Sequence, residues 1–152
     1  MAEAQAEPKL ALPFLRTFYD SAIPFSWLIV RVAVGWNLLV HGWGKIALLP
    51  PSDAVIKAYA DLGLGMPAFW FWASFGIETL AGVALILGLF TRFFAAAATI
   101  EMLVITCLYW SNGFGWMHRG YEYVMLWGLV CFAIALRGGG PYSLDRKLGR
   151  EL

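Results

Sequence analysis

Residues 69–110 read FWFWASFGIETLAGVALILGLFTRFFAAAATIEMLVITCLYW, from Phe69 to Trp110, and how this run divides decides the fold. A helix that crosses a bilayer core needs ~20 mostly apolar residues, so the run is long enough for two crossings. Taken as one helix it would carry Arg92 through hydrocarbon, at a cost of about 2.5–3.5 kcal/mol on insertion scales. The segment Leu87-Gly88-Leu89-Phe90-Thr91-Arg92 places a glycine and a charge at its middle. The run therefore divides into spans over Phe69–Phe90 and Arg92–Trp110, joined as a tight helical hairpin.

Working outward, two more stretches of the same kind flank the hairpin, Phe25–Leu49 and Gly120–Leu136. The expected fold is all-α, an integral membrane four-helix bundle. Residues 1–24 form a cytoplasmic N-terminal segment, 25–137 the transmembrane domain and 138–152 a cytoplasmic tail. Composition agrees, since 61% hydrophobic and 14% charged lies well outside the balance of a soluble domain. A net charge of +1 without a dense basic stripe excludes nucleic acid as an expected partner. The lipid bilayer takes that place.

Lys and Arg in short flanks orient such a bundle, because cytoplasmic loops retain them. One side holds seven (Lys9, Arg16, Arg92, Arg137, Arg146, Lys147 and Arg150) and the other three (Lys45, Lys57 and Arg119), with Arg31 inside the first span. This predicts both termini inside, in a bacterial-type inner membrane. Met1 to Asp20 lacks a basic stretch followed by an apolar one, so no cleaved signal is expected. In the connection from Pro50 to Pro67, Ser52 is a candidate N-cap and Val55, Tyr59 and Leu62 form an apolar stripe. That pattern predicts a short amphipathic helix on the outer surface. The other outer loop, Ser111 to His118, is aromatic and punctuated by glycine, which suits an interfacial anchor or a lid over the bundle mouth.

Ionisable groups in hydrocarbon are costly and usually face the bundle interior, so each is a candidate for function. With a helical rise of ~1.5 Å per residue, His41 in the first span and Glu78 in the second share a level in the outer half. Lys45 follows His41 by one turn on the same face. Tyr121 and Glu122 enter from the top of the fourth span, Glu101 lies near the midplane, and Arg31 is deep enough to reach Glu101 as an ion pair. Two readings follow. Arg31 with Glu101, and Lys45 with Glu122 or Glu78, neutralise each other and fix helix register. Alternatively, His41, Lys45, Glu78, Glu101, Tyr121 and Glu122 line an outward-opening polar pocket, whose aromatic walls suit the ring and tail of a quinone.

Neither haem nor a metal is expected, because His41 and His118 lie at different depths and no ligand spacing such as HExxH occurs. Cys107 and Cys131 differ in depth by ~10 Å on helical rise, too far for a disulfide. Gly35, Gly42, Gly76 and Gly82 read as small residues that let helices approach closely.

Arg31-x3-Gly35 followed by His41-Gly42-x-Gly44-Lys45, then Glu78-x3-Gly82, Leu87-Gly88-Leu89-x-Thr91-Arg92 and Gly138-Gly139-Gly140-Pro141-Tyr142-Ser143-Leu144-Asp145, form an ordered set. In this set the chain resembles the DoxX family, which includes the small membrane subunit of thiosulfate:quinone oxidoreductases. The resemblance implies a four-helix membrane fold, quinone-linked redox chemistry in some members, and partnership with other membrane subunits. It implies no single reaction. Two functions are carried forward: a subunit of a quinone-dependent oxidoreductase, and a non-catalytic accessory subunit of a larger electron-transfer or photosynthetic complex. The second draws on bulky rings expected on the outer surface at Trp70, Trp72, Phe93, Phe94 and Trp127.

Overall fold

The structure is a computed structural model that describes residues 10–47, 51–63 and 65–152. The predicted span end at Leu49, Lys9 of the charge count and the first nine residues of the Met1–Asp20 stretch lie outside the described residues. Six α-helices follow in order: α1 (Arg16–Ala47), α2 (Asp53–Ala60), α3 (Pro67–Leu87), α4 (Thr91–Leu108), α5 (Glu122–Arg137) and α6 (Leu144–Leu148). Single 3-10 turns cover Pro13–Leu15, Trp110–Asn112 and Trp116–His118. No strand occurs among the described residues.

The decisive hairpin forms where the sequence places it. Gly88 ends α3 in the left-handed region (φ 69°), Leu89 donates to the Ala84 carbonyl at 2.9 Å, and Phe90 turns the chain into α4. Glycine has no Cβ to oppose that backbone conformation, which is why the break falls there. By length and hydropathy, α1 with its preceding 3-10 turn, α3 and α4 are each able to cross a membrane. At 16 residues, α5 rises only ~24 Å.

α1 begins at Arg16, nine residues before the predicted Phe25. Hydropathy marks where a chain suits lipid, whereas a helix continues until its backbone ladder is broken. Pro24 removes one donor from that ladder without ending it. α2 starts where Ser52 was expected to cap it, the hydroxyl accepting from Val55 N–H at 3.4 Å.

The helices pack as two close pairs, α1 on α3 and α4 on α5, joined where α3 meets α4. The core is built from Val34 and Leu38 of α1, Ala81 and Leu85 of α3, Ala95, Ala98 and Met102 of α4, and Cys131 and Ile134 of α5. Glycine sets the α1–α3 spacing. A Cβ on Gly82 would lie 2.6 Å from the Leu39 backbone nitrogen, and one on Gly42 would lie 2.7 Å from that of Thr79. Gly76 differs from the expectation, since the space beside it is open. Trp70, Trp72 and Phe93 are exposed, but Phe94 and Trp127 correct the predicted outer surface by packing against the core. Both cysteines are free.

Candidate functional site

The polar residues singled out by sequence separate into two clusters at opposite ends of the bundle. At the end bearing α6, the tail folds back over the hairpin. Asp145, 1% exposed, accepts from Phe90 N–H at 2.7 Å and Thr91 N–H at 2.9 Å, and its own N–H donates to Gly88 at 2.9 Å. These bonds cap the start of α4, where backbone donors have no helical partner.

Arg31 reaches the same place. Its guanidinium donates to the carbonyls of Leu85, of Ile86 at 3.0 Å and of Tyr142 at 2.7 Å. The predicted Arg31–Glu101 pair is therefore corrected: the end of α3 and the tail present free carbonyls at the level of Arg31, and those claim its fork of donors. Arg92 plays the matching part on α5, donating to the last carbonyls, those of Ala135 at 3.1 Å and Leu136 at 2.6 Å, while pairing with Glu151 at 2.8 Å. Trp27 donates to the Gly138 carbonyl at 2.8 Å and Phe25 stacks on Tyr142 with centroids 4.8 Å apart. Arg31, Gly88, Thr91, Arg92 and the glycine-rich tail thus form one structural clasp. Apart from the Arg92–Glu151 ion pair, their polar contacts go to backbone groups.

At the α2 end lies a cavity of about 770 Å³, lined by all four long helices with α2 and the outer loop at its edge. Most of its wall is apolar, from Leu38, Ile77, Ile100, Ile105, Leu108 and Val124 among others. The few polar groups converge on it. Lys45 of α1 donates to Glu78 of α3 at 2.6 Å, their side chains 20% and 5% exposed. Ser74, one helical turn before Glu78, donates its hydroxyl to Glu101 Oε1 of α4. Asn37 of α1 donates to the Tyr123 hydroxyl of α5 at 3.0 Å. His41 lies on the wall between them, and Tyr59 and Leu62 of the predicted stripe close one edge.

His41, Lys45, Glu78 and Glu101 are thus brought together, whereas Tyr121 and Glu122 are not. The loop before α5 coils tightly around Gly120 and uses those two residues to hold itself. Glu122 accepts from Trp116 N–H at 3.3 Å, and Tyr121 stacks on Trp110 at 4.5 Å. Asn112 and Arg119 from this loop reach the cavity instead. Ser74, Asn37 and Tyr123 were not singled out beforehand. Ser74 carried a signal, standing four residues from Glu78 on one helix face. Nothing local in the sequence distinguishes Asn37 or Tyr123. Among the described residues no group of three or more His, Cys, Asp or Glu is placed to hold a metal ion.

Apolar helices of spanning length around a cavity with a few buried polar groups define a small helical membrane protein with a ligand-sized chamber. The DoxX profile matches residues 26–111, and the chain belongs to the DoxX family. It is 30% identical over 142 residues to the inner membrane protein YphA of Escherichia coli (strain K12), an alignment covering 88% of this chain and 98% of that one. No solved structure matches.

Proposed function

We propose that this protein is a DoxX-family subunit that binds a quinone, or engages a quinone-linked redox partner, through the cavity at the α2 end. The observation that carries this reading is the buried polar lining, Lys45–Glu78 and Ser74–Glu101, on the wall of an otherwise apolar cavity of about 770 Å³. Polar groups buried among apolar helices are costly to maintain, and a few convergent ones in an apolar chamber are what fixes the orientation of a small amphiphile. A quinone supplies the complementary parts, an apolar ring and tail with oxygens at one end. In this reading His41 hydrogen-bonds a ring oxygen, Lys45 holds Glu78 in place, Ser74 holds Glu101, and Trp70 and Trp127 flank the ring.

The same reading has four crossings with both termini inside. α5 completes the fourth, the bilayer thinning or its flanking residues snorkelling to meet its short rise. The basic clasp then faces the cytoplasm, the cavity opens in the outer leaflet, and α2 lies along the outer surface.

Purification from the native membrane in mild detergent, followed by mass spectrometry of extracted quinone and co-purifying proteins, tests the proposal. Stoichiometric quinone that falls in His41→Ala and Glu78→Gln supports it. Quinone at background in a large assembly overturns it in favour of a non-catalytic accessory subunit, and quinone content unchanged in both variants removes the cavity from the explanation.

A further inference from the structure

An α-helix turns by about 100° per residue, so a cavity confined to a bundle's interior uses only the inward stripe of each helix around it. α1 and α5 follow this rule. Their outward stripes, Trp36, Val40 and Trp43 on one and Leu126, Leu129 and Leu136 on the other, are exposed, and none of them lines the cavity. The wall residues nearest those stripes, Asn37 and Tyr123, are joined by their 3.0 Å hydrogen bond.

α3 and α4 break the rule. Phe93, Ile100 and Leu103 mark the outward stripe of α4, yet Ile100, 63% exposed, is also a wall residue. From Ile100 the wall continues inward around α4 through Val104 and Ala97 to Glu101 and Ile105. On α3 it runs from Glu78 through Ser74 and Trp70 to Ala73, which by helical spacing stands beside the exposed Phe69 and Leu80. The facing sides of these two helices are therefore cavity wall from the interior to the surface of the bundle. Nearer the hairpin the same helices are sealed, with Ala81, Leu85, Ala95 and Ala98 fully buried. α3 and α4 thus splay from the hairpin toward the α2 end and leave a cleft between them.

Resting on the quinone reading above, we infer that the chamber opens sideways into the bilayer through this cleft, and that its ligand is a membrane-resident amphiphile whose apolar tail lies out between α3 and α4. The lining changes character along the cleft. Its inner part holds the Lys45–Glu78 pair and the Ser74–Glu101 hydrogen bond, which lies inward of the rim, whereas the rim itself is Ala73, Ile77, Ile100 and Val104. A charged or strongly hydrated ligand would shed its water to pass such a rim, at high cost. An apolar chain sheds nothing, because lipid tails are as apolar as the side chains that replace them. The small side chains of Ala73 and Ala97 leave the width that the chain occupies. The other way in, past Tyr59, Leu62, Asn112 and Arg119, suits a ligand that arrives from water.

The test is photo-crosslinking of the full chain in lipid nanodiscs, with decylubiquinone carrying a diazirine at the end of its chain as the probe and plain decylubiquinone in excess as competitor. Adducts are mapped by mass spectrometry. Any lipid-facing residue can react with a probe dissolved in the bilayer, so only labelling that the competitor removes reports the site. In the wild type that labelling is expected on the rim, at Ala73, Ile100 and Val104. Ala97→Trp fills the cleft and should bring it to background, while Ala96→Trp, one residue along on the exposed side of α4, should leave it unchanged. Competed adducts on α2 and the outer loop at Tyr59, Leu62 or Asn112, or full competed labelling in Ala97→Trp, overturn this inference while the quinone reading stands. Labelling that the competitor reduces nowhere on the chain overturns both.

Discussion

The carboxylate of Asp145 accepts a 2.9 Å hydrogen bond from the backbone N–H of Thr91, 54 residues earlier in the chain. Helix α4 thus receives its N-terminal cap from the tail, because Phe90, which occupies the cap position, has no side-chain acceptor. The tail is therefore part of the bundle's tertiary structure.

Asp145→Ala removes two acceptors at once and leaves the N–H groups of Phe90 and Thr91 without partners. A loss of about 1–3 kcal/mol is expected, the range for an orphaned buried group. Thermal unfolding followed by circular dichroism in a fixed detergent measures it. Asp145→Asn, with one acceptor oxygen left, should fall between the alanine variant and the wild type. Wild-type melting of the alanine variant would mean that the cap is dispensable.

Arg31 answers three carbonyls, those of Leu85, Ile86 and Tyr142, with one planar group. Lysine carries three donors on one nitrogen and lacks the spread of the guanidinium fork. Arg31→Lys should therefore be destabilised and Arg31→Ala more so, the latter by about 3 kcal/mol or more. The fraction of protein remaining monodisperse on size exclusion after graded heating reports the order. If lysine equals arginine, the fork geometry is irrelevant and charge alone suffices.

Arg31 also marks what was legible in the sequence. Three of the spans, the hairpin at Gly88 and the Ser52 cap are local patterns, and each could be read from periodicity, glycine placement and capping chemistry. The level shared by His41 and Glu78 follows from helical rise alone, and both line the cavity. Depth could not say which partner Arg31 takes, because the competitors are backbone carbonyls exposed by a helix end and by a tail distant in sequence. Glu122 escaped for a related reason, since the path of a glycine-rich loop has no periodicity to follow. Trp127 was expected on the outer surface because a helix of nearly uniform apolarity gives no sign of which face turns inward.

Lys45 and Glu78 form the ion pair of the chamber, at 2.6 Å. Removing one partner leaves a charge uncompensated among apolar helices, while removing both leaves neutral groups of similar volume. Lys45→Met alone should cost about 2–4 kcal/mol, a little under the range for fully buried pairs because the ammonium keeps some exposure. The Lys45→Met, Glu78→Gln double variant should recover at least half of that loss. A thermal double-mutant cycle in one detergent decides it, and strict additivity would show that the two residues do not interact in solution.

Two glycines of α3, Gly82 on its packed face and Gly76 on an open one, give opposite predictions. In Gly82→Ala the new methyl would lie 2.6 Å from the Leu39 nitrogen and 2.8 Å from its Cα. Those atoms are backbone, so the only relief is a movement of α1 away from α3. Overpacking of this kind costs about 1–3 kcal/mol. Gly76 lies in the same helix with open space where its Cβ would stand. Alanine there meets nothing and restricts the unfolded chain, so Gly76→Ala should gain about 0.5–1 kcal/mol. Parallel melting curves of the two variants settle both signs. If Gly82→Ala melts with or above the wild type, the close approach of α1 and α3 is not what holds that pair. If Gly76→Ala melts below it, the open face beside Gly76 is covered by another molecule in solution, and the site of that contact is located by the same substitution.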